Sequence, residues 1–127
     1  MNLLIDTHAL IWFVAGERRF GKAARAAMEH HQARLHISAA SVWELAIEAA
    51  RKRIDLRFPV QRYLADRLDE GYGLLRIEGT HAAAVEHLPF HHHDPFDRLL
   101  IAQALSERMA IVTRDRVFKK YGVDVIW

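Results

Sequence analysis

Short apolar runs alternate with longer segments of helical periodicity along the sequence, and this order leaves few folds open. The runs lack the polar alternation of a strand with one solvated face, so they indicate strands covered on both sides. Strands that alternate with helices indicate an α/β fold with a mostly parallel central sheet. We predict strands at residues 2–5, 35–37, 74–77, 110–113 and 123–127.

Helices are predicted between these strands from apolar spacing and from residues that suit helix ends. Val42, Leu45, Ala46 and Ala49 recur at helical spacing, and Pro59 suits the first turn of the next helix. The predicted helices cover residues 7–14, 22–31, 38–53, 59–70, 80–87, 94–108 and 116–121.

Composition narrows the class of protein. The 127 residues are 51% hydrophobic, which suits one globular domain spanning residues 1–127. There is no cysteine, so disulfide frameworks, thiolate zinc sites and cysteine nucleophiles are excluded. No stretch reaches the ~18 apolar residues of a membrane span, and Asp6 interrupts the first apolar run too early for a signal peptide. We therefore expect a cytoplasmic protein without membrane association, and its net charge of +2 permits a polyanionic partner.

Four acidic residues fall at one edge of the predicted sheet. Asp6 and Asp115 follow the carboxyl ends of two strands, whereas Glu44 and Asp97 lie near the starts of two helices. In a parallel sheet, strand carboxyl ends and helix N-termini share one edge, and α/β folds bind their ligands there. We therefore predict that these four acids form one site.

Each acid also has a structural explanation. Asp94 is a natural N-cap, which places Asp97 where the helix dipole favours an acid. Glu44 fits a capping box with the serine three residues before it, and Asp115 could cap the helix that follows it. Asp6 is hardest to explain in this way, because an acid that ends a buried strand needs a partner.

A cluster of carboxylates is unfavourable unless something neutralises its charge. Carboxylates that share a site repel one another, and some stay protonated near neutral pH unless a divalent cation is bound. Oxygen-only ligands favour Mg²⁺ or Mn²⁺ over Zn²⁺. Acid clusters that hold such ions are typical of enzymes that hydrolyse phosphodiester bonds.

Four segments resemble the acidic motifs of PIN-domain nucleases, in the order in which that family carries them. The resemblance extends to the toxins of VapBC-type toxin–antitoxin pairs. The segments are LLIDTHAL at 3–10, ISAASVWEL at 37–45, DPFDRLLIAQA at 94–104 and TRD at 113–115, the last followed by Phe118 and by YGV at 121–123.

This resemblance implies a three-layer α/β/α PIN fold and an endoribonuclease that depends on Mg²⁺ or Mn²⁺. Its substrate would be RNA, typically a tRNA or rRNA, cut to leave a 5′-phosphate and a 3′-hydroxyl. The partners implied are a VapB-like antitoxin that blocks the acidic groove and a second copy in a homodimer. Asp6, Glu44 and Asp97 would be the principal metal ligands, and Asp115 would complete the site directly or through water. The hydroxyls of Thr7 and Thr113 could orient ligands or water.

The sequence leaves the roles of the residues next to the four acids undecided. Arg98 and Arg114 flank two of them, and each could bind an RNA phosphate or form a salt bridge with a neighbouring acid. The three histidines at 91–93 are expected in a solvated loop, because adjacent loop histidines rarely face one ion. Trp12 and Trp43 are expected in the core. Asp94 is sufficiently explained as a cap.

Three other functions compete with this prediction. A phosphatase of the haloacid dehalogenase type also starts with a strand ending in aspartate, but it needs a second aspartate where this chain has His8. A PIN-like module that only binds RNA or protein would not need four acids. A housekeeping RNA-processing nuclease would share the chemistry but not the toxin role.

Overall fold

Five parallel strands form the centre of the computed structural model, which describes residues 1–127. They are β1 (Asn2–Ile5), β2 (Arg34–Ser38), β3 (Gly73–Leu75), β4 (Ala110–Val112) and β5 (Val125–Ile126). Their order across the sheet is β3-β2-β1-β4-β5, and every neighbouring pair is parallel. The predicted sheet is confirmed, and it is parallel throughout.

Six α-helices and two short 3-10 helices connect the strands. The segment predicted as one helix at 80–87 divides into an α-helix and a 3-10 helix, and the segment 116–121 is wholly 3-10. The α-helices are α1 (Thr7–Val14), α2 (Lys22–Glu29), α3 (Ala39–Ala50), α4 (Val60–Asp69), α5 (Gly79–Ala84) and α6 (Pro95–Glu107), and the 3-10 helices are Val85–His87 and Arg116–Tyr121.

Local backbone conformation explains where the observed bounds depart from the predicted ones. Helix α2 stops at Glu29, two residues early, because His30 adopts an extended conformation. Helix α6 ends before Arg108, whose φ of 56° is left-handed and breaks the helix. Strand β3 begins at Gly73, where a side chain would crowd the ring of His36 on β2 at 2.9 Å.

Alternate residues of β1 point to opposite faces of the sheet and enter two separate cores. Leu3 and Ile5 pack with apolar residues of α1, α2, α3 and α4. Leu4 packs on the other side with α6 and the 3-10 helix Arg116–Tyr121. All three β1 residues are fully buried. Helices thus cover both faces of the sheet, which confirms the three-layer α/β/α prediction.

The position of β1 determines where the functional edge lies. Because β1 is the middle strand, its carboxyl end lies at the centre of the edge to which the other strands also point. The residue that follows β1 is Asp6, and its N–H bonds the carbonyl of Val112 on β4 at 3.0 Å. None of the helices combines the length and apolar character that a membrane span requires.

Candidate active site

The four predicted acids all line one pocket of about 470 Å³ at this edge of the sheet. Although they share the pocket, no three metal-ligating side chains converge closely enough to form a closed ligand cage. The acids therefore line one pocket without forming a preassembled metal site. The lining residues are Asp6, His8, Trp12, Glu44, Asp94, Asp97, Arg114, Asp115 and Phe118.

Asp6 lies at the floor of the pocket and is only 8% exposed. Its Oδ2 accepts a hydrogen bond from the Thr113 hydroxyl at 3.1 Å, and Thr113 Oγ1 in turn accepts the N–H of Asp115 at 3.1 Å. Burial, with a smaller contribution from Glu44, raises the pKa of Asp6 from 3.8 to about 6 against the opposing effects of His8 and Thr113. Thr113 thus links two of the predicted acids.

Asp97 lies in the first turn of α6, and its side chain is 18% exposed. Burial, and after it the charges of Asp6, Asp94, Glu44 and Asp115, raise the pKa of its carboxyl from 3.8 to about 8. Five carboxyl groups therefore interact electrostatically in this pocket. A proton or a cation is needed to offset their mutual repulsion at neutral pH.

Glu44 lies on α3, half-buried, and it is not part of the capping box predicted for it. The N-cap is Ser38, whose Oγ accepts the N–H of Ala40 at 3.0 Å, so Glu44 is too far along the helix to reach back. Burial raises the pKa of Glu44. The nearby Thr7 side chain opposes this rise and lowers the pKa of Glu44. The buried hydroxyl oxygen of Thr7, Oγ1, nevertheless has no hydrogen-bond partner of ordinary geometry.

Asp94 and Asp115 do act as caps, as their structural explanations predicted. Asp94 Oδ1 accepts the N–H groups of Phe96 at 2.9 Å and of Asp97 at 3.1 Å. Asp115 Oδ1 accepts the N–H of Val117 at 3.0 Å. Both caps also line the pocket, so a capping role and a place at the site coexist in each residue.

The predicted solvated loop at 91–93 is wrong for its middle residue. The His92 ring is 19% exposed, and its Nε2 lies 3.2 Å from Asp97 Oδ2. Its Nδ1 lies 2.6 Å from the Tyr121 hydroxyl. His91 and His93 are exposed, as predicted. Three identical residues in a row gave no sign of which ring faces inward.

Both alternatives for Arg98 are also wrong, because its guanidinium is buried among carbonyls. The residue is 4% exposed and forms no salt bridge with an acid. It donates to the carbonyls of Pro89 at 2.8 Å, Leu88 at 3.2 Å and Val85 at 3.4 Å. It also donates to the Tyr121 hydroxyl at 3.3 Å. Arg98 therefore holds the loop before α6 and cannot meet RNA.

The remaining predictions concern residues at the rim of the pocket. Arg114 is exposed and lies 5.8 Å from the Trp12 ring, and it forms no salt bridge with the acids it flanks. Trp12 is half-buried and packs against the core. Trp43 is 62% exposed, so its predicted core position is wrong, and its ring meets Phe96 edge-on at 5.2 Å.

The residues present fit a hard divalent cation. The acids offer only oxygen donors, and Arg114 is the one arginine or lysine that lines the pocket. The unpartnered hydroxyl of Thr7 is a further buried oxygen beside Glu44. Oxygen donors with excess negative charge suit Mg²⁺ or Mn²⁺.

Comparison with known proteins agrees with this geometry. The model of the PIN domain family matches residues 3–124. The chain belongs to the PIN-domain family. It is 35% identical over 121 residues to ribonuclease VapC22 of Mycobacterium tuberculosis, an alignment that covers 94% of this chain and 92% of that protein. The resemblance to VapC toxins is thereby confirmed, and this PIN-domain protein is a VapC homologue.

Solved structures share the fold at low sequence identity. A complex of VapBC2 from Rickettsia felis with a promoter DNA fragment superposes with a TM-score of 0.73 at 13% identity, covering 98% of this chain and 97% of that chain. VapC20 of Mycobacterium tuberculosis, a toxin that cleaves the sarcin–ricin loop, gives 0.68 at 20% identity, with 95% of each chain covered. FitAcB from Neisseria gonorrhoeae gives 0.67 at 19% identity, with coverage of 97% and 95%.

Proposed function

We propose that this PIN-domain protein is a metal-dependent endoribonuclease and the toxin of a VapBC-type toxin–antitoxin pair. The observation that carries the proposal is the single pocket that Asp6, Glu44, Asp97 and Asp115 line together. The identity to ribonuclease VapC22 over nearly the whole chain supports the reaction class.

Asp6, Glu44 and Asp97 are the proposed metal ligands, with Asp115 completing the site directly or through water. PIN-domain nucleases generally use divalent metals, and Mg²⁺ or Mn²⁺ fits these oxygen donors. When bound, such an ion activates water and stabilises charge on the reacting phosphate. The chain contributes geometry: the Thr113 hydroxyl holds the Asp6 carboxylate, and the Asp94 cap holds the first turn of the helix that carries Asp97.

Exposed cations beside the acids are suited to hold the RNA backbone. Arg114 lines the acid pocket and also a neighbouring cleft of about 520 Å³, together with Arg116 and Lys119. All three side chains are exposed, and none takes part in a salt bridge. Free guanidinium and ammonium groups bind phosphates along a strand without reading its sequence. This cleft is the proposed path of the RNA away from the cutting site.

The partners follow from the proposed toxin role. Structural neighbours of this chain were solved as VapBC toxin–antitoxin complexes. We expect a VapB-like antitoxin that blocks the acid pocket, a homodimer of the toxin, and action in the cytoplasm on a tRNA or rRNA.

Cleavage of labelled total RNA tests the proposal. Purified protein is incubated with Mg²⁺, with Mn²⁺ and with EDTA, alongside Asp6→Asn and the control Asp69→Asn, which removes an exposed acid at the end of α4. We expect discrete fragments with 5′-phosphate ends that disappear with EDTA and with Asp6→Asn but persist with the control. Fragments ending in a 2′,3′-cyclic phosphate would contradict the mechanism, and cutting unaffected by EDTA would contradict the site.

The cleavage assay separates the competing functions when filter binding, a phosphomonoester assay and expression in cells are added to it. A binding module with no catalytic role would leave every RNA intact while still retaining RNA on a filter. A phosphatase of the haloacid dehalogenase type would release phosphate from small phosphomonoesters and leave RNA uncut. A housekeeping nuclease would cut RNA, but its expression would not arrest growth, and no antitoxin would restrain it.

A further inference from the structure

The His92 ring lies between a carboxylate of the acid pocket and a buried tyrosine. Its Nε2 is 3.2 Å from Asp97 Oδ2, and its Nδ1 is 2.6 Å from Tyr121 Oη. The N–H of His92 also donates to Tyr121 Oη at 3.1 Å. Tyr121 is 8% exposed, and Arg98 donates to the same oxygen at 3.3 Å.

The hydrogen bonds around Tyr121 determine which nitrogen of His92 carries the proton. A phenol oxygen accepts about two hydrogen bonds and donates one. Its two acceptor positions are filled by the N–H of His92 and by the Arg98 guanidinium. The hydroxyl hydrogen of Tyr121 is therefore free to point at one of two acceptors. His92 Nδ1 is the nearer at 2.6 Å, and the His92 carbonyl oxygen is 3.4 Å away. A neutral His92 then carries its hydrogen on Nε2, facing Asp97.

The far end of this network is anchored in the protein interior. Arg98 donates to three backbone carbonyls and to the Tyr121 hydroxyl, and its guanidinium carbon lies 4.2 Å from the centre of the Phe90 ring. Arg98 belongs to the same helix as Asp97, so the network begins and ends on α6. A closed network of this kind leaves the His92 ring little freedom to rotate.

We propose that His92 is a positioning residue that fixes the Asp97 carboxylate for metal binding, and that Tyr121 fixes His92 in turn. This proposal rests on the metal centre proposed above. Asp97 Oδ2 accepts from His92, whereas no protein group donates to Asp97 Oδ1, so one oxygen is fixed and the other is left for a ligand. Outer contacts of this type orient the ligands of metal sites in proteins.

Three variants separate positioning from a general effect on the loop. His92→Gln keeps an N–H donor near the place of Nε2, whereas His92→Asn is too short to reach Asp97. Tyr121→Phe removes only the hydroxyl that orients the ring. His93→Asn is the matched control, because His93 is exposed in the same loop and its ring packs only near Phe90 at 5.5 Å.

Binding of Mn²⁺, measured by isothermal titration calorimetry, is the first readout. We expect His92→Asn to weaken binding by about 10- to 100-fold, the range for removal of an outer contact at a metal site. His92→Gln should stay within about 3-fold of the wild type, and His93→Asn should not differ from it. Tyr121→Phe should weaken binding without adding its full effect to that of His92→Asn in the double variant, because both act through one network.

A second readout needs no variant and no metal. The nitrogen-15 chemical shifts of His92 in the metal-free wild type report which ring nitrogen is protonated, and we expect hydrogen on Nε2. Hydrogen on Nδ1 but not on Nε2 would overturn the proposal, and so would a His92→Asn variant that binds Mn²⁺ like the wild type. Wild-type protein that binds no Mn²⁺ would overturn the metal centre itself, a failure distinct from loss of the His92 role alone.

Discussion

Two walls of the acid pocket differ in how firmly they are held. The α6 wall carries Asp97, whose carboxylate accepts from His92 and whose helix starts at the Asp94 cap. The α3 wall carries the half-buried Glu44, whose carboxylate accepts no hydrogen bond of ordinary geometry, and the exposed Trp43 beside it.

This difference shows where the structure has already been arranged for a ligand. On the α6 wall, burial and neighbouring charges raise the pKa of Asp97 to about 8, so an ionised Asp97 lowers stability unless a cation is present. On the α3 wall, no hydrogen bond of ordinary geometry fixes the half-buried carboxylate of Glu44. We therefore expect binding to complete the site by movement of Glu44 toward a fixed Asp97.

The largest expected effect is on catalysis when the fixed wall loses its charge. Asp97→Asn should lower RNA cleavage by about 100-fold or more, because a metal ligand contributes several kcal/mol to the transition state. The fold should persist, since the Asp94 cap stays in place. Single-turnover cleavage with saturating Mg²⁺ measures the loss, with Asp69→Asn as control. Cleavage at the wild-type rate would show that the site is assigned wrongly.

Stability should depend strongly on the anchor of the α6 wall. Arg98→Met leaves three backbone carbonyls and the Tyr121 hydroxyl without this donor. We expect a loss of about 2–4 kcal/mol in the free energy of unfolding, measured by urea denaturation. Arg114→Met, at the exposed rim, should change that free energy by less than about 0.5 kcal/mol. If both variants lost the same free energy of unfolding, the hydrogen bonds of Arg98 would not stabilise the α6 wall more than the exposed rim is stabilised by Arg114.

The metal-free protein should lose stability as the pH rises. The raised pKa values of about 8 for Asp97 and about 6 for Asp6 mean that the folded state binds more protons than the unfolded state above pH 4. The free energy of unfolding should therefore fall between about pH 4 and pH 8 and level off above, by several kcal/mol in total, because each unit of pKa shift corresponds to about 1.4 kcal/mol.

Asp97→Asn isolates the part of this pH dependence that belongs to Asp97. The variant should show a smaller fall and should be more stable than the wild type at pH 8 without metal. Mg²⁺ should stabilise the wild type more at pH 8 than at pH 5, because it competes with the proton. A metal-free wild type that is as stable at pH 8 as at pH 5 would contradict the raised pKa values.

The effect of losing the exposed aromatic ring on the α3 wall should also be small. Trp43→Ala should lower the free energy of unfolding by less than about 1 kcal/mol, because the ring is 62% exposed and loses mainly its edge contact with Phe96. Thermal unfolding beside the wild type measures it. A loss similar to that of Arg98→Met would mean that the α3 wall is as firmly held as the α6 wall.

The arrangement of the backbone was predictable because it follows from burial and chain order. The run Asn2–Ile5 has no polar alternation, which a middle strand covered on both faces requires. Parallel strands then bring Asp6 and Asp115 to the edge where helix starts place Glu44 and Asp97. The exact bounds depend on single backbone conformations, such as the left-handed Arg108, that composition does not encode.

The orientation of individual side chains was harder to predict. Trp43 is two residues from both Ser41 and Leu45, so helical geometry places it on the opposite side from those buried residues. Its exposure could therefore be predicted from the sequence. Arg98 shares the α6 face of Ala102, which is also buried. The contact of His92 with Tyr121 joins residues 29 positions apart, and nothing local in the sequence predicts it.

The central position of β1 also bears on the biosynthesis of the protein. Strand β1 is made first, but its second neighbour, β4, begins only at Ala110, and the bond from Thr113 to Asp6 spans 107 positions. A nascent chain on the ribosome therefore lacks one side of the pocket until nearly all of this sequence has emerged. Long-range pairing of this kind comes late because loop closure must precede it. If the protein cuts RNA as proposed, a growing chain therefore has no complete cutting site until this region has been translated.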